Sequence, residues 1–297
     1  MTRLLSAARK AINDALKVKK NESVLLVTDK LKMPIAEALG HWLARSGAET
    51  TTYLMTETLR PIQGPTAMFK SMIRKADVTI YMLDSRIEEK GFRFAMVSDG
   101  GRYGRVCMMP GITVDMMERL INIDFKQMDR LTRKVIGHMT DARQVQVTNA
   151  LGTDLSFSVK GRKWLNDNGD ISKKGSHGNL PAGEGYTCPV EKTFNGKVVF
   201  SLIDDKIGRG IAAVMKNIGS DASGTVIGEF GIGTNRGARI CKNMLEAEKS
   251  FSTVHFAIGD SYGLGKNRSR HHYDALVEKV TVIADGKPLM QNGKFVI

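Results

Sequence analysis

At 297 residues, with 42% hydrophobic and 25% charged side chains, the chain has an ordinary globular composition and room for two domains. Its 44 Lys and Arg against 31 Asp and Glu leave a net charge of +13, but the basic residues are spread along the chain and aromatics are only 6%. Surfaces that stack nucleic-acid strands interleave aromatic with basic side chains, so nucleic acid is not an expected partner, whereas an anionic small molecule or peptide is compatible with the charge.

Cys107, Cys188 and Cys241 are odd in number and far apart, forming neither a disulfide framework nor a C-x-x-C knuckle. That usage fits a reducing compartment. Residues 1–20 lack the apolar core of a signal peptide, and no apolar run approaches the ~20 residues that span a bilayer. A cytoplasmic location without a membrane partner is the expectation.

In chain order, residues 3–16 read as a helix with Leu4, Leu5, Ala8, Ile12 and Leu16 on one face. Ser23-Val-Leu-Leu-Val-Thr28 is a continuous apolar run, as in a strand covered on both sides. Pro34 suits a helix first turn, Ile35, Leu39, Trp42 and Leu43 form its buried stripe, and Gly47 stops it. Residues 50–55 are strand-like, 65–75 helical, and 78–83 again a strand. Strands alternating with helices at this spacing indicate right-handed βαβ units and a parallel sheet.

Residues 91–104, rich in Gly and Arg, read as a looser region before a strand at 106–109 that Pro110-Gly111 ends. Residues 114–120 and 125–139 read as helices. Beyond residue 141, segments 144–148 and 155–159 alternate apolar and polar, and further strands are expected at 198–203, 226–227, 253–257 and 280–283. The fold class expected is therefore α/β plus α+β: a Rossmann-like parallel domain over residues 1–141 and a strand-rich domain over 142–297. No tandem repeat of 20–50 residues is evident.

The second domain carries the chemistry. Three of the six histidines fall between residues 255 and 272. His272-x-Asp274 on a strand puts both side chains on one face, and His255 lies in an alternating run with Val254, Phe256 and Ile258. Imidazole with carboxylate suits zinc, manganese, cobalt or ferrous iron. Upstream, Gly178-Asn-Leu-Pro-Ala-Gly-Glu184 places a carboxylate in a punctuated loop, where it is either a solvated turn residue or a ligand on a constrained support. The residues alone leave both open. Gly208-Arg-Gly210-Ile-Ala-Ala213 starts like a dinucleotide fingerprint but lies in the wrong half, and Gly263-Leu-Gly265-Lys266 lacks the first glycine of a phosphate loop. Both are read as turns. H-E-x-x-H is not present.

The pieces N-L-P-x-G-E ending at Glu184, Gly228-Glu229, H-x-A-x-G at His255, Tyr262 seven residues on, and His272-x-Asp274 together resemble the thermophilic metallo-aminopeptidase family, the aminopeptidase T and aminopeptidase S group. The closing segments 284–290 and 293–297 are similar to the family's C-terminal hairpin. The resemblance implies two divalent ions, zinc first with cobalt or manganese able to substitute, on Glu184, Glu229, His255, His272 and Asp274. It also implies a homodimer that removes N-terminal residues from peptides.

Two ions ~3.5–4 Å apart activate a shared water and polarise a carbonyl. Glu229, ahead of Glu184, is the expected base, and Tyr262 the donor to the oxyanion. The chain departs from that family in its short length and in the basic loop Lys266, Arg268 and Arg270 before the H-x-D. It is also similar to 2,5-dihydroxypyridine dioxygenase, a short relative of the same fold. That resemblance implies one ferrous ion on His255, His272 and Asp274. A non-catalytic binding protein on the same scaffold is the third alternative.

Overall fold

The computed structural model describes residues 1–84, 86–205 and 210–297. Among these, the strands form one sheet of five and two of six. Two compact units are present, one of Met1–Phe125 with Gly169–Ala182, the other of Lys126–Asn168 with Gly183–Ile297.

The first unit holds a wholly parallel sheet. Its strands are β1 (Ser23–Thr28), β2 (Glu49–Leu54), β3 (Val78–Tyr81), β4 (Arg105–Met108) and the short strand His177–Asn179, in the order β2, β1, β3, β4, then His177–Asn179. Helices α1 (Arg3–Lys10), α2 (Met33–Ser46), α3 (Ala67–Lys75) and α4 (Lys90–Tyr103) alternate with them. Leu25 and Val27 pack with Phe69, Ile73, Phe92 and Met96 of α3 and α4. Val24 and Leu26, on the opposite face by the pleat, are equally buried. That two-sided cover is why β1 is continuously apolar. At the edge, β2 is mostly exposed, and threonines suffice there. Pro34 stands in the first turn of α2, and Gly47 closes it with φ 75°.

The region read as loose over residues 91–104 is helix α4. Two of its three glycines are there for contact. A Cβ on Gly100 would lie 2.4 Å from Val106 Cγ2, and one on Gly91 2.7 Å from the Gln63 carbonyl oxygen. Close packing, which sequence cannot display, outweighs the low helix propensity of glycine. After it come α5 (Val114–Met116) and a π-helical turn, Met117–Ile121, covering the expected 114–120 helix. The helix expected at 3–16 is likewise α1 continued by the π turn Ala11–Ala15.

In the second unit, α6 (Phe125–Met139) leads into β5 (Gln144–Thr148), β6 (Asp154–Ser158) and β7 (Leu165–Asp167). With His177–Asn179 counted as β8, the remaining strands are β9 (Glu184–Thr187), β10 (Asn195–Lys197), β11 (Leu202–Ile203), β12 (Ile227–Gly233), β13 (Val254–Gly259), β14 (His272–Val277), β15 (Thr281–Ala284), β16 (Lys287–Gln291) and β17 (Lys294–Phe295). One antiparallel sheet runs β10, β6, β5, β15, β16, β17, and the other β11, β14, β13, β12, β9, β7. Val145, Val147, Leu155 and Phe157 of the first share a core with Phe230, Ile232, Val254 and Phe256 of the second. Edge-to-face and stacked pairs among Phe157, Phe230 and Phe256 fix that seam.

Of the strand expected at 198–203 only Leu202–Ile203 pairs, and the one expected at 226–227 begins at Ile227 and runs on to Gly233. Gly208 and Arg209 of the expected turn lie outside the described residues. Its later residues do not form a turn: helix α7 (Ile211–Gly219) starts after Gly210, whose φ is 84°, and buries Val214 and Ile218 one turn apart. A short helix, α8 (Met244–Ala247), precedes β13.

Candidate metal centre

The antiparallel register decides which side chains of the second sheet meet. Directly paired residues share a face, as do residues two apart on one strand. Glu229 pairs with Ala257, which pairs with Asp274; Gly231 pairs with His255; Gly259 pairs with His272; Gly233 pairs with Glu184, which pairs with Asp167. One face therefore carries Asp167, Glu184, Glu229, His255, His272 and Asp274 from five adjacent strands. Phe230, Ile232, Val254 and Phe256, on the other face, are the core. Alternation thus separates the polar centre from the apolar seam.

Small residues make space on the polar face. A Cβ on Gly231 would lie 2.0 Å from His255 Cε1, so the imidazole covers the glycine directly. At Gly183 (φ 126°), a Cβ would lie 2.7 Å from Asn235 Cβ, and the same glycine donates its N–H to the Asp167 carbonyl as the chain enters β9. The glycine that precedes Glu184 is thus a requirement of backbone shape.

Among the described residues, two ligand-like clusters result. Donor atoms of Glu184, Glu229 and His255 lie within 4.8 Å of one another, and so do those of Glu229, His272 and Asp274. His255 Nε2 is 3.2 Å from Glu229 Oε1 and 3.3 Å from Glu184 Oε2. His272 Nε2 is 3.3 Å from Asp274 Oδ1, while its Nδ1 is 2.7 Å from the Asp260 carbonyl oxygen. That carbonyl accepts the Nδ1–H hydrogen bond, which keeps the proton on Nδ1 and leaves Nε2 with its lone pair on the Asp274 side. Glu229 belongs to both clusters. All five residues proposed as ligands are therefore brought together, with the two histidines in different clusters.

Tyr262 sits beside this group. Its ring centroid is 4.3 Å from that of His272, and its backbone, at φ 46°, is held by an N–H bond to Asp260 Oδ1 of 2.7 Å. The segment that follows is a turn, as expected. Within it the Arg268 guanidinium donates to Ser261 Oγ and to the Gly265 and Asn267 carbonyls, and Arg270 donates to the Ser220 carbonyl. Arg268 thus binds the loop itself, and Arg270 ties the loop to the end of the helix that closes at Ser220.

Sequence reasoning missed Lys249. Wholly buried, it forms ion pairs with Glu184 Oε1, with Glu248 Oε1 at 2.9 Å and with Asp167 Oδ2 at 3.1 Å. A lone lysine after a short helix carries no signal of burial. The alternation Glu229-Phe-Gly-Ile-Gly233, large apolar residues on one face and glycine on the other, did carry one for the strand beneath His255.

The electrostatics test whether a cation fits. Burial pushes the Glu184 carboxyl up, to about 8, against the pull of Lys249 and His255. Burial pushes the His255 imidazole down, but Glu184 and Glu229 outweigh it and raise it to about 9. Glu184 Oε2 and His255 Nδ1 are buried with no hydrogen-bond partner among the described residues. Carboxyls driven toward neutrality beside an imidazole driven toward the cation mark a site short of positive charge. A divalent ion relieves that shortage, and the imidazole–carboxylate donor set fits one.

A family model described as NicX, 2,5-dihydroxypyridine 5,6-dioxygenase, matches residues 16–209, about two thirds of the chain. The matched span includes Glu184 and ends before Glu229. No curated protein matches. Among solved structures, the chain is similar to 2,5-dihydroxypyridine dioxygenase from Pseudomonas putida KT2440, at 15% identity and a TM-score of 0.76, over 100% of this chain and 98% of that one. It is similar also to wild-type AmpT from Thermus thermophilus, at 16% identity and a TM-score of 0.71, over 99% of each. At such identities the likeness is one of fold, and both resemblances read from the motifs are found in it.

Proposed function

Since the chain belongs to the NicX family of 2,5-dihydroxypyridine 5,6-dioxygenases, we propose that it is a metal-dependent dioxygenase that opens a hydroxylated nitrogen heterocycle. This reverses the order in which the motifs alone ranked the oxygenase and the peptidase. The observation that carries it is the family match, and the imidazole–carboxylate clusters support it. The overall change places both atoms of O2 on the two carbons of the broken ring bond, so no external reductant is required.

By the dioxygenase resemblance His255, His272 and Asp274 would hold a ferrous ion; their donor atoms fall in two clusters, His255 with Glu184 and Glu229, and His272 and Asp274 with Glu229, which Glu229 joins. When bound, that ion supplies oxygen activation and a positive charge for the ionised ring hydroxyl. Asp260 fixes the His272 tautomer through its carbonyl. Glu229 accepts the proton of a ring hydroxyl, since its carboxylate belongs to both clusters. Tyr262, packed on His272, would line the solvent-facing side of the site.

A second reading is favoured by one specific feature. Two clusters that share Glu229, with Glu184 retained, are the arrangement a pair of ions requires, and the AmpT-like fold spans nearly the whole chain. That reading is a metallo-aminopeptidase with zinc, cobalt or manganese. The test compares protein loaded anaerobically with ferrous iron and protein loaded with zinc. Oxygen uptake on 2,5-dihydroxypyridine with iron alone is the expected result. Release of nitroaniline from leucine p-nitroanilide without oxygen uptake would replace the oxygenase by the peptidase.

A further inference from the structure

Beneath the metal-facing surface, Lys249 divides the two oxygens of one carboxylate. Its ammonium takes Glu184 Oε1, whereas Glu184 Oε2 is buried, lacks a hydrogen-bond partner among the described residues and lies 3.3 Å from His255 Nε2. The ammonium is itself held at three points, because Glu248 Oε1 and Asp167 Oδ2 bind it at 2.9 and 3.1 Å. Asp167 pairs with Glu184 in the sheet register, so Lys249 is anchored to the same strand pair that carries the carboxylate. A carboxylate free to rotate chelates a cation through both oxygens or through either one. With Oε1 committed, only Oε2 is offered.

We propose that Lys249 is a positioning residue of the metal centre, which holds Glu184 as a one-oxygen ligand directed at the ion beside His255. This rests on the metal-enzyme reading above. It assigns Lys249 a role that explains why a lysine is wholly buried: its charge offsets Glu184 without occupying the oxygen that faces the ion. Partners that orient metal ligands commonly account for 10- to 100-fold in affinity.

The experiment titrates the full-length protein with cobalt(II), following affinity and the visible d–d spectrum, which reports coordination number and geometry. Lys249→Met should weaken one cobalt site by about tenfold and alter its spectrum, as Glu184 swings to two-oxygen or no ligation. If Lys249→Met does not fold, Glu184→Gln decides. The amide has one accepting oxygen, which Lys249 claims, so its NH2 faces the ion and the same cobalt site is lost.

A folded Lys249→Met with wild-type affinity and spectrum overturns the proposal, as does a Glu184→Gln that binds cobalt like the wild type. In either case cobalt binding by the wild type leaves the metal-enzyme reading standing. Wild-type protein that binds no cobalt overturns that reading and the proposal together.

Discussion

Two buried ion clusters, one in each unit, differ in how they end. In the first unit the Arg60 guanidinium gives Nε and Nη2 to the two oxygens of Glu89, Nη1 to Glu57 and a further bond to the Asp84 carbonyl, and Glu89 also accepts the Ile62 N–H. Each donor nitrogen and each Glu89 oxygen is used. In the second unit Lys249 neutralises part of a larger group of carboxylates, and Glu184 Oε2 and His255 Nδ1 have no hydrogen-bond partner among the described residues. A structural ion pair closes on itself, because an unmatched buried charge is expensive. A site keeps donor atoms over for something that is not part of the chain.

Three measurements would break or sharpen that contrast. The largest effect belongs to Arg60→Met. It strands Glu89, almost wholly buried, and should cost about 3–5 kcal/mol in urea unfolding. Cobalt affinity should stay at the wild-type value. A loss of cobalt binding in that variant would mean that the closed cluster is not purely structural.

Gly231→Ala comes next. Its new methyl would meet the His255 ring at about van der Waals overlap, 2.0 Å from Cε1. The imidazole must turn away, so metal affinity should fall by about 10- to 100-fold, with an overpacking penalty of about 1–3 kcal/mol. Calorimetric titration with cobalt checks the first and thermal unfolding the second.

The smallest effect is a pH dependence. Burial raises the Glu89 carboxyl, but the hydrogen bonds of Arg60 and the Ile62 amide outweigh it and hold it below its ordinary value. A depressed folded pKa stabilises above the unfolded value of about 4.3, and the gain is lost as pH falls through the folded value. The stability difference between wild type and Glu89→Gln should therefore be constant near neutrality and shrink on acidification below about pH 4. A difference that grows with acid would contradict the closed pair.

Much of the fold was legible locally. The run 23–28 is β1, the alternation at 144–148 is β5, and the 125–139 pattern is α6, since burial on one face or two imposes a period the chain must obey. The ligand candidates were visible as residue types, and His272-x-Asp274 as a same-face pair. Less visible were α4, whose glycines answer to distant contacts, and the strands Leu165–Asp167, His177–Asn179 and Asn195–Lys197, which are too short and polar to show a period.

What the sequence determined alone is the alternation of strand and helix, the strand-rich second half and the supply of imidazoles and carboxylates that a divalent ion could use. These depend on spacings of two or of three to four residues, within reach of local chemistry. Tertiary structure decided that Glu184, Glu229, His255 and Asp274 share one face, that Lys249 is buried against Glu184, and that Gly231 makes room for an imbricated imidazole. The register of four strands fixes those meetings, and register is set by packing between residues up to 90 positions apart, such as Glu184 and Asp274.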